Sequence, residues 1–269
     1  MWLINLLITF LLFMLGASLA SFLAVLAYRL PRKMSWVRSR SICDHCHRQL
    51  TWYENIPVFS YLFLGGRCRI CRKRIPKLYF WWEVVGGLFF CWWVQFFVLV
   101  GELWWSTLFW LILGEILIFV AFVDLQKRYV TTFWLTILFL WSAIYLACSL
   151  IWGDFTWQVV AVRLLVAFLL WLLFVAIDKL AKLFWRVNVA LGSGDAFLIA
   201  ILALWLPPAW SLIMLLLAFW SGALVGVGLL LRKRFFHRGD GKIAFIPFLV
   251  LGFWGAISYG DLLINLFWS

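Results

Sequence analysis

Residues 196–231 read AFLIAILALWLPPAWSLIMLLLAFWSGALVGVGLLL, Ala196 to Leu231, without one charged side chain. As a single helix rising ~1.5 Å per residue, the run would be roughly 54 Å long, too much for tilting to absorb in a hydrocarbon core of about 30 Å. Pro207 and Pro208 in its middle resolve the excess, because a proline interrupts the backbone ladder and a turn there yields two crossings. The remainder of the chain has the same character: 67% of the 269 residues are hydrophobic and only 13% are charged. That balance excludes a soluble globular domain. Division at the charged segments predicts eight spans: Trp2 to Tyr28, Tyr79 to Val100, Thr107 to Val123, Thr132 to Trp152, Gln158 to Ile177, Val187 to Leu206, Ala209 to Leu231 and Ile243 to Trp268. The expected fold is therefore an all-α polytopic membrane protein of about eight transmembrane helices. The first span has no basic residue ahead of it and is too long for the apolar region of a signal peptide, so it reads as a mature helix.

Orientation follows from the basic residues, which concentrate in cytosolic loops. Of 23, twelve lie between Arg29 and Lys77, two are Lys127 and Arg128, three are Lys179, Lys182 and Arg186, and five run from Arg232 to Lys242. With eight spans these four groups are alternate loops, all cytosolic, and both termini lie outside; only Arg163 falls elsewhere. A seven-span chain would place Arg232, Lys233 and Arg234 on the wrong side. The net charge of +12 is thus a topology signal with anionic membrane lipid as its partner, and nucleic acid need not be invoked. Trp104, Trp105, Trp205, Trp210 and Trp268 crowd the span ends, where interfacial aromatic belts are expected.

The segment from 29 to 78 differs in composition. It carries Cys43-Asp-His-Cys46 and, after 21 intervening residues, Cys68-Arg-Ile-Cys71. Each C-x-x-C offers two thiolates from one tight turn, and the pair predicts a closed tetrahedral four-cysteine zinc site. Two disulfides are the other arrangement, but the charge pattern puts this loop in the reducing cytosol. His45 and His47 are substitute ligands that four cysteines make unnecessary. Zinc should order a loop with little core of its own, and an all-thiolate shell leaves no open position for catalysis. Cys91 and Cys148, within apolar spans, read as packing residues. The expected organisation is a first helix over 1–28, a cytosolic zinc-binding loop over 29–78 and a membrane-embedded domain over 79–269.

Acidic residues at membrane depth suggest function by default. Glu83 opens the second span, Glu115 sits in the middle of the third, Asp124 ends it, Asp178 ends the fifth and Asp195 lies inside the sixth; Glu102 and Asp261 belong to outer ends. Asp195 follows Gly192-Ser193-Gly194, and helix broken at that depth is tolerated only against protein or a water-filled cavity. The topology puts Asp124 and Asp195 toward the same membrane face. Two carboxyls sharing a site hold one proton between them, the ionised one activating water and the protonated one polarising a peptide carbonyl. From position alone an alternative stands beside this dyad: an interfacial Asp124 paired with Lys127 or Arg128, and a helix-capping Asp195.

The run Gly16 to Phe22 (GASLASF) with Tyr28-Arg-Leu-Pro31, the two C-x-x-C pairs, Trp52-Tyr-Glu-Asn-Ile-Pro57, Gly66-Arg-Cys68, Gly192-Ser-Gly-Asp195 and Lys242-Ile-Ala-Phe-Ile-Pro-Phe-Leu249 together resemble the bacterial type IV prepilin peptidases across nearly the whole chain. The resemblance implies an inner-membrane enzyme of two activities. One is an aspartic endopeptidase removing the short basic leader of type IV prepilins or pseudopilins. The other is an N-methyltransferase acting on the new terminus with S-adenosylmethionine. It carries the catalytic roles to Asp124, in Val123-Asp-Leu125, and to Asp195, and the zinc roles to Cys43, Cys46, Cys68 and Cys71. The chain departs from the family pattern at Thr131 and Thr132, where a proline and an acid are usual, and at Phe197, where a lysine is usual. No G-x-G-x-x-G after a strand gives the methyl donor a site of its own. A reading from another class is a zinc-stabilised assembly or transport component whose buried acids couple to protons or simply pack; neighbouring pilus or secretion genes would favour the enzyme.

Overall fold

The structure is a computed structural model that describes residues 2–29, 35, 41–43, 45–100, 104–127, 130–185, 192–236 and 244–268. Its helices are α1 (Trp2–Arg29), α2 (Phe59–Phe63), α3 (Lys77–Val100), α4 (Trp104–Lys127), α5 (Thr132–Ile151), α6 (Trp157–Trp185), α7 (Ser193–Ala203), α8 (Pro208–Phe236) and α9 (Ile246–Trp268), with a 3₁₀ turn at Trp52–Asn55. Among the described residues the only pairings of β type are two isolated bridges in the cysteine loop. The apolar segments therefore all become helix, as their composition requires in lipid. Among the described residues six are long and apolar enough to cross a membrane: α1, α4, α5, α6, α8 and α9. The 24-residue α3 covers the expected second span. Of the expected sixth span, Val187 lies outside the described residues and α7 covers only 11 residues, about 16 Å and half a bilayer core. The two prolines divide the opening stretch as expected. Pro208 is the first residue of α8, where its missing N–H costs nothing. Eight of the basic residues behind the topology, Arg32, Lys33, Arg38, Arg40, Arg128, Arg186, Arg238 and Lys242, lie outside the described residues.

The chain forms two compact units, residues 1–119 and 120–269. In the first, α1 and α3 run antiparallel at very close range. A β-carbon on Gly16 would lie 2.4 Å from Phe90 Cβ, and one on Gly86 2.7 Å from Ala20 Cβ. Small residues let the two backbones approach, the usual basis of helix association where lipid offers no hydrophobic gain. Polar contacts fix the register: Trp82 Nε1 donates to Ala20 O at 2.5 Å, Gln95 Nε2 to Thr9 Oγ1 at 3.1 Å, and the Cys91 thiol to Thr9 O at 3.2 Å.

In the second unit the short α7 packs among α5, α6, α8 and α9, so its sides are covered although it spans only half the core. Leu198, Ile199, Leu202 and Ala203 are buried. Its C-terminal end explains Arg163, the one basic residue outside the four loop groups. Arg163 on α6 is buried and donates from Nη1 to Leu204 O and Trp205 O, both at 3.2 Å, with its guanidinium 4.1 Å from the Phe155 ring centre. A cation here satisfies carbonyls that the helix end leaves orphaned. Trp205 is a correction to the interfacial-belt expectation: it is 1% exposed, stacked on Tyr145 at 4.1 Å, and its Nε1 donates to Ser142 Oγ at 2.7 Å. Position near a span end could not distinguish it from a belt residue; the partners that bury it lie on another helix.

Helices α8 and α9 are in tight antiparallel contact through Gly252, where an added β-carbon would lie 2.3 Å from Met214 O and 2.9 Å from Ala218 N. Backbone cannot swing aside as a side chain can, so Gly252→Ala must push the helices apart. The expected cost is about 1–3 kcal/mol, read as a lower unfolding temperature in detergent. Gly228→Ala on α8, where no atom stands within 4 Å of the new carbon, should be neutral or slightly stabilising. Equal behaviour of the two variants would show that the close approach at Gly252 does not matter.

Candidate active site and metal centre

The two aspartates of the sequence reading both lie in the second unit, Asp124 in the last turn of α4 and Asp195 in the first turn of α7. Asp124, near the end of α4, is 5% exposed, and its Oδ2 accepts the backbone N–H of Ile246 at 3.2 Å. Ile246 opens α9, so this carboxylate sits where a helix presents unpaired N–H groups and the positive end of its dipole. Sequence reasoning began that helix at Ile243, outside the described residues, and missed the donor because it is main chain. Pro247, a first-turn proline, was the signal that could have located it.

Asp195 is the third residue of α7, half-buried, with Gly192 as the residue before the helix. A β-carbon on Gly192 would stand 3.0 Å from Asp195 Oδ2, so the carboxylate folds back over the helix start, close against the glycine. Asp195 N–H donates to Gly192 O at 3.0 Å, closing the first turn. The two carboxylates are near enough to act on each other electrostatically. Gly192 is the N-cap of α7 and no side-chain capping hydrogen bond forms there, so Asp195 does not cap the helix; the Asp124 contact to Lys127 or Arg128 falls on side chains outside those described.

The family departures have local explanations. Thr131 takes the N-cap position of α5, with extended backbone (φ −73°, ψ 141°), and Trp134 N–H donates to its carbonyl at 3.1 Å. The helix thus begins without the usual proline. Phe197 is half exposed and packs its ring on Trp171 at 5.9 Å.

Other membrane-depth acids have separate roles. Glu83 on α3 accepts Val58 N–H at 2.7 Å, anchoring the entry to α2, where Val58 holds φ +65°. Glu115 is 3% exposed, and neither oxygen has a hydrogen-bond partner among the described residues. Asp178 pairs with Lys182 one turn along α6 at 2.5 Å, an exposed pair of small energetic weight. Glu102 lies outside the described residues.

In the first unit the two C-x-x-C segments adopt the same backbone twice. Cys43 N–H donates to Arg48 O and His47 N–H to Cys43 O; Cys68 N–H donates to Lys73 O and Arg72 N–H to Cys68 O. His47 and Arg72, each four residues after the first cysteine of its pair, both take a left-handed φ, 55° and 54°. These turns bring the four sulfurs within 4.8 Å of one another, with Cys43 Sγ and Cys71 Sγ 3.9 Å apart. Four sulfurs about 2.3 Å from a tetrahedral zinc stand about 3.8 Å apart, whereas a disulfide needs about 2.05 Å. The geometry fits a metal ion, and all four thiols are free. His45 and His47 are exposed and outside the sulfur cluster.

Partners around the sulfurs support the same use. The backbone N–H of Cys71, with that of Ile70 and the Arg48 guanidinium, holds the Cys68 thiol down to about 6, toward the thiolate a metal requires. Arg48 Nη2 also meets Glu54 Oε1 at 2.5 Å, and Glu54 Oε2 accepts Thr51 N–H at 2.9 Å and Thr51 Oγ at 2.8 Å. Arg48 foremost, then Thr51, lowers the buried Glu54 carboxyl to about 2. A depressed carboxyl stabilises above its ordinary range and loses that contribution only as pH falls toward 2, so the pair stays charged at any physiological pH.

These features define a class: a helical, multi-pass membrane protein with a four-cysteine metal-type loop and two aspartates, one at a helix end and one at a helix start, within electrostatic reach of each other. Residues 14–97 match the bacterial peptidase A24 N-terminal domain, and residues 111–227 match the type IV leader peptidase family. The chain is 33% identical to the prepilin leader peptidase/N-methyltransferase of Aeromonas hydrophila over 82% of its own length and 72% of the relative's. With the protein of the same name from Myxococcus xanthus it shares 35% identity over 82% of its length and 62% of the relative's. With that of Burkholderia pseudomallei it shares 30% over 91% and 84%. No solved structure matches. The chain belongs to the type IV leader peptidase family and is an enzyme of the prepilin leader peptidase/N-methyltransferase kind.

Proposed function

We propose that Asp124 and Asp195 are the catalytic pair of a membrane-embedded aspartic endopeptidase that cuts the leader from type IV prepilins or pseudopilins at the cytosolic side of the bacterial inner membrane. The observation that carries this reading is the pairing itself. Two carboxylates from different helices of one unit act on each other inside the residues matched by the peptidase family model. In this reaction the ionised carboxylate takes a proton from water, whose oxygen attacks the peptide carbonyl. The protonated carboxyl hydrogen-bonds that carbonyl and later supplies a proton to the departing amine. Backbone donation to Asp124 Oδ2 leaves its other oxygen for water or substrate. The residue roles and the side of cleavage are this reading's own, as is the division into a first helix, a cysteine loop over 29–78 and a catalytic remainder.

The second activity in the relatives' names, N-methylation, belongs to the same proposal. S-adenosylmethionine, when bound, supplies a methyl group on a positively charged sulfur, and the amine freed by cleavage receives it. Zinc in the cysteine loop acts through structure. Incubation of the purified chain in detergent with a prepilin, followed by mass measurement, tests the whole: a product shortened by its leader is expected, and a further gain of one methyl when S-adenosylmethionine is added. An uncut prepilin would overturn the peptidase reading.

A further inference from the structure

One stretch of the cysteine loop differs from the rest. Residues 56–66 read IPVFSYLFLGG, an uncharged run between Glu54 and Arg67. It is too short to cross a bilayer, and its length and apolar character are those of a segment that enters the membrane from one side.

Its contacts agree with that depth. Phe59 opens α2 and sets its ring 6.1 Å from Phe10, well inside the α1 span Trp2–Leu26, and Phe63 stacks on Phe59 at 6.4 Å. Tyr61 meets shallower partners: Phe80 near the start of α3, at 5.1 Å, and Ile75 O, to which its hydroxyl donates at 3.5 Å. Leu62 and Phe63 are 59% and 86% exposed, and beside a ring seated on the middle of a membrane helix the medium they meet is lipid. Backbone at such a depth needs its polar groups satisfied. The N–H groups of Ser60, Leu62, Leu64, Gly65 and Gly66 all donate to carbonyls between Ile56 and Leu62. Val58, held at a left-handed φ of 65° that a β-branched residue seldom takes, finds its acceptor outside the segment, in Glu83 Oε2 of α3 at 2.7 Å.

The exit from the segment is basic. Arg67, Arg69, Arg72, Lys73, Arg74 and Lys77 follow with no acid among them, and all six are exposed. A cluster of this size just ahead of a membrane helix is complementary to anionic headgroups, and long basic side chains can lay their stems on apolar surface while the charge reaches a phosphate.

We propose that residues 56–66 are a membrane-inserted finger that seats the cysteine loop on anionic phospholipid, with Leu62 and Phe63 among the acyl chains and the basic run from Arg67 to Lys77 at the headgroups. Glu83 then has a task separate from either reaction, holding the strained entry to the finger. The inference rests on α1 being a membrane span and is independent of the roles proposed for Asp124 and Asp195.

The test puts the photoreactive side chain benzoylphenylalanine at position 63 of the zinc-loaded full chain, in vesicles of equal phosphatidylcholine and phosphatidylglycerol. Irradiation and intact-mass measurement should show the gain of one phospholipid, with the anionic lipid over-represented at least roughly threefold. The same side chain in place of Gln49, an exposed residue of the first cysteine turn, should give at least roughly tenfold less lipid adduct. Lys73→Gln combined with Arg74→Gln should remove much of the preference for phosphatidylglycerol and leave the adduct. Glu83→Ala, which strips Val58 of its acceptor, should cut the adduct several-fold at unchanged zinc content, and Glu83→Gln, which keeps an oxygen there, should preserve it. A probe at position 63 that reacts with protein, or gives no lipid adduct in a chain that keeps its zinc, would overturn the finger. Equal reaction with the two lipids would overturn the headgroup assignment.

Discussion

Asp124→Asn and Asp195→Asn, each alone, should lower leader cleavage by at least roughly a thousandfold, the scale of losing a positioned acid–base group. The fold should survive both changes. At 124 the asparagine carbonyl can still accept the Ile246 N–H, so the start of α9 stays capped. At 195 an asparagine suits the first turn of α7, where Gly192 leaves room for the side chain to fold back. Unfolding temperature should therefore shift little while activity vanishes. Because the proton is shared, the wild-type rate should fall on both the acid and the alkaline side of its optimum, and the two limbs belong to the pair. Neither mutant should lose the ability to methylate a pilin supplied already cleaved. A single mutant that still cuts at the wild-type rate would remove that aspartate from the chemistry.

Why these residues were legible, and others not, follows from what a one-dimensional pattern can carry. Uncharged runs and a double proline locate helices because bilayer thickness sets their length. A charge stranded in such a run is visible at once, which is how Asp195, Glu115 and Arg163 stood out. What such a charge meets is set by another helix. Arg163 reads as an exception to the charge rule until Leu204 and Trp205 carbonyls are found beside it, and Trp205 reads as interfacial until Tyr145 covers it. Asp124 was identified by type and position, yet its fixed donor is a backbone N–H 122 residues away. The cysteine pairs were legible in full because metal spacing is local, whereas the Arg48, Glu54 and Thr51 contacts that brace them depend on the turn's own geometry.

Loss of the metal should have the second large effect, and it should divide the two activities in the opposite sense to the aspartate variants. The wild type is expected to carry one zinc per chain, and Cys43→Ser or Cys71→Ser to carry none, by metal analysis of protein purified without chelator. Structural zinc contributes about 10–16 kcal/mol of binding free energy to small cysteine modules, and this loop has little else to hold it. The described loop contains one 3₁₀ turn, one five-residue helix and two isolated bridges. Without the metal, the 3.9 Å approach of Cys43 and Cys71 should be lost and the turns that carry them should loosen. Asp124 and Asp195 belong to the other unit, in which helices α5 to α9 pack on one another. Methylation should therefore fall at least as far as cleavage in the cysteine variants, while the aspartate variants lose cleavage alone. A wild type that carries no metal, or cysteine variants that keep both activities, would sink the structural role of zinc and leave the aspartate pair untouched.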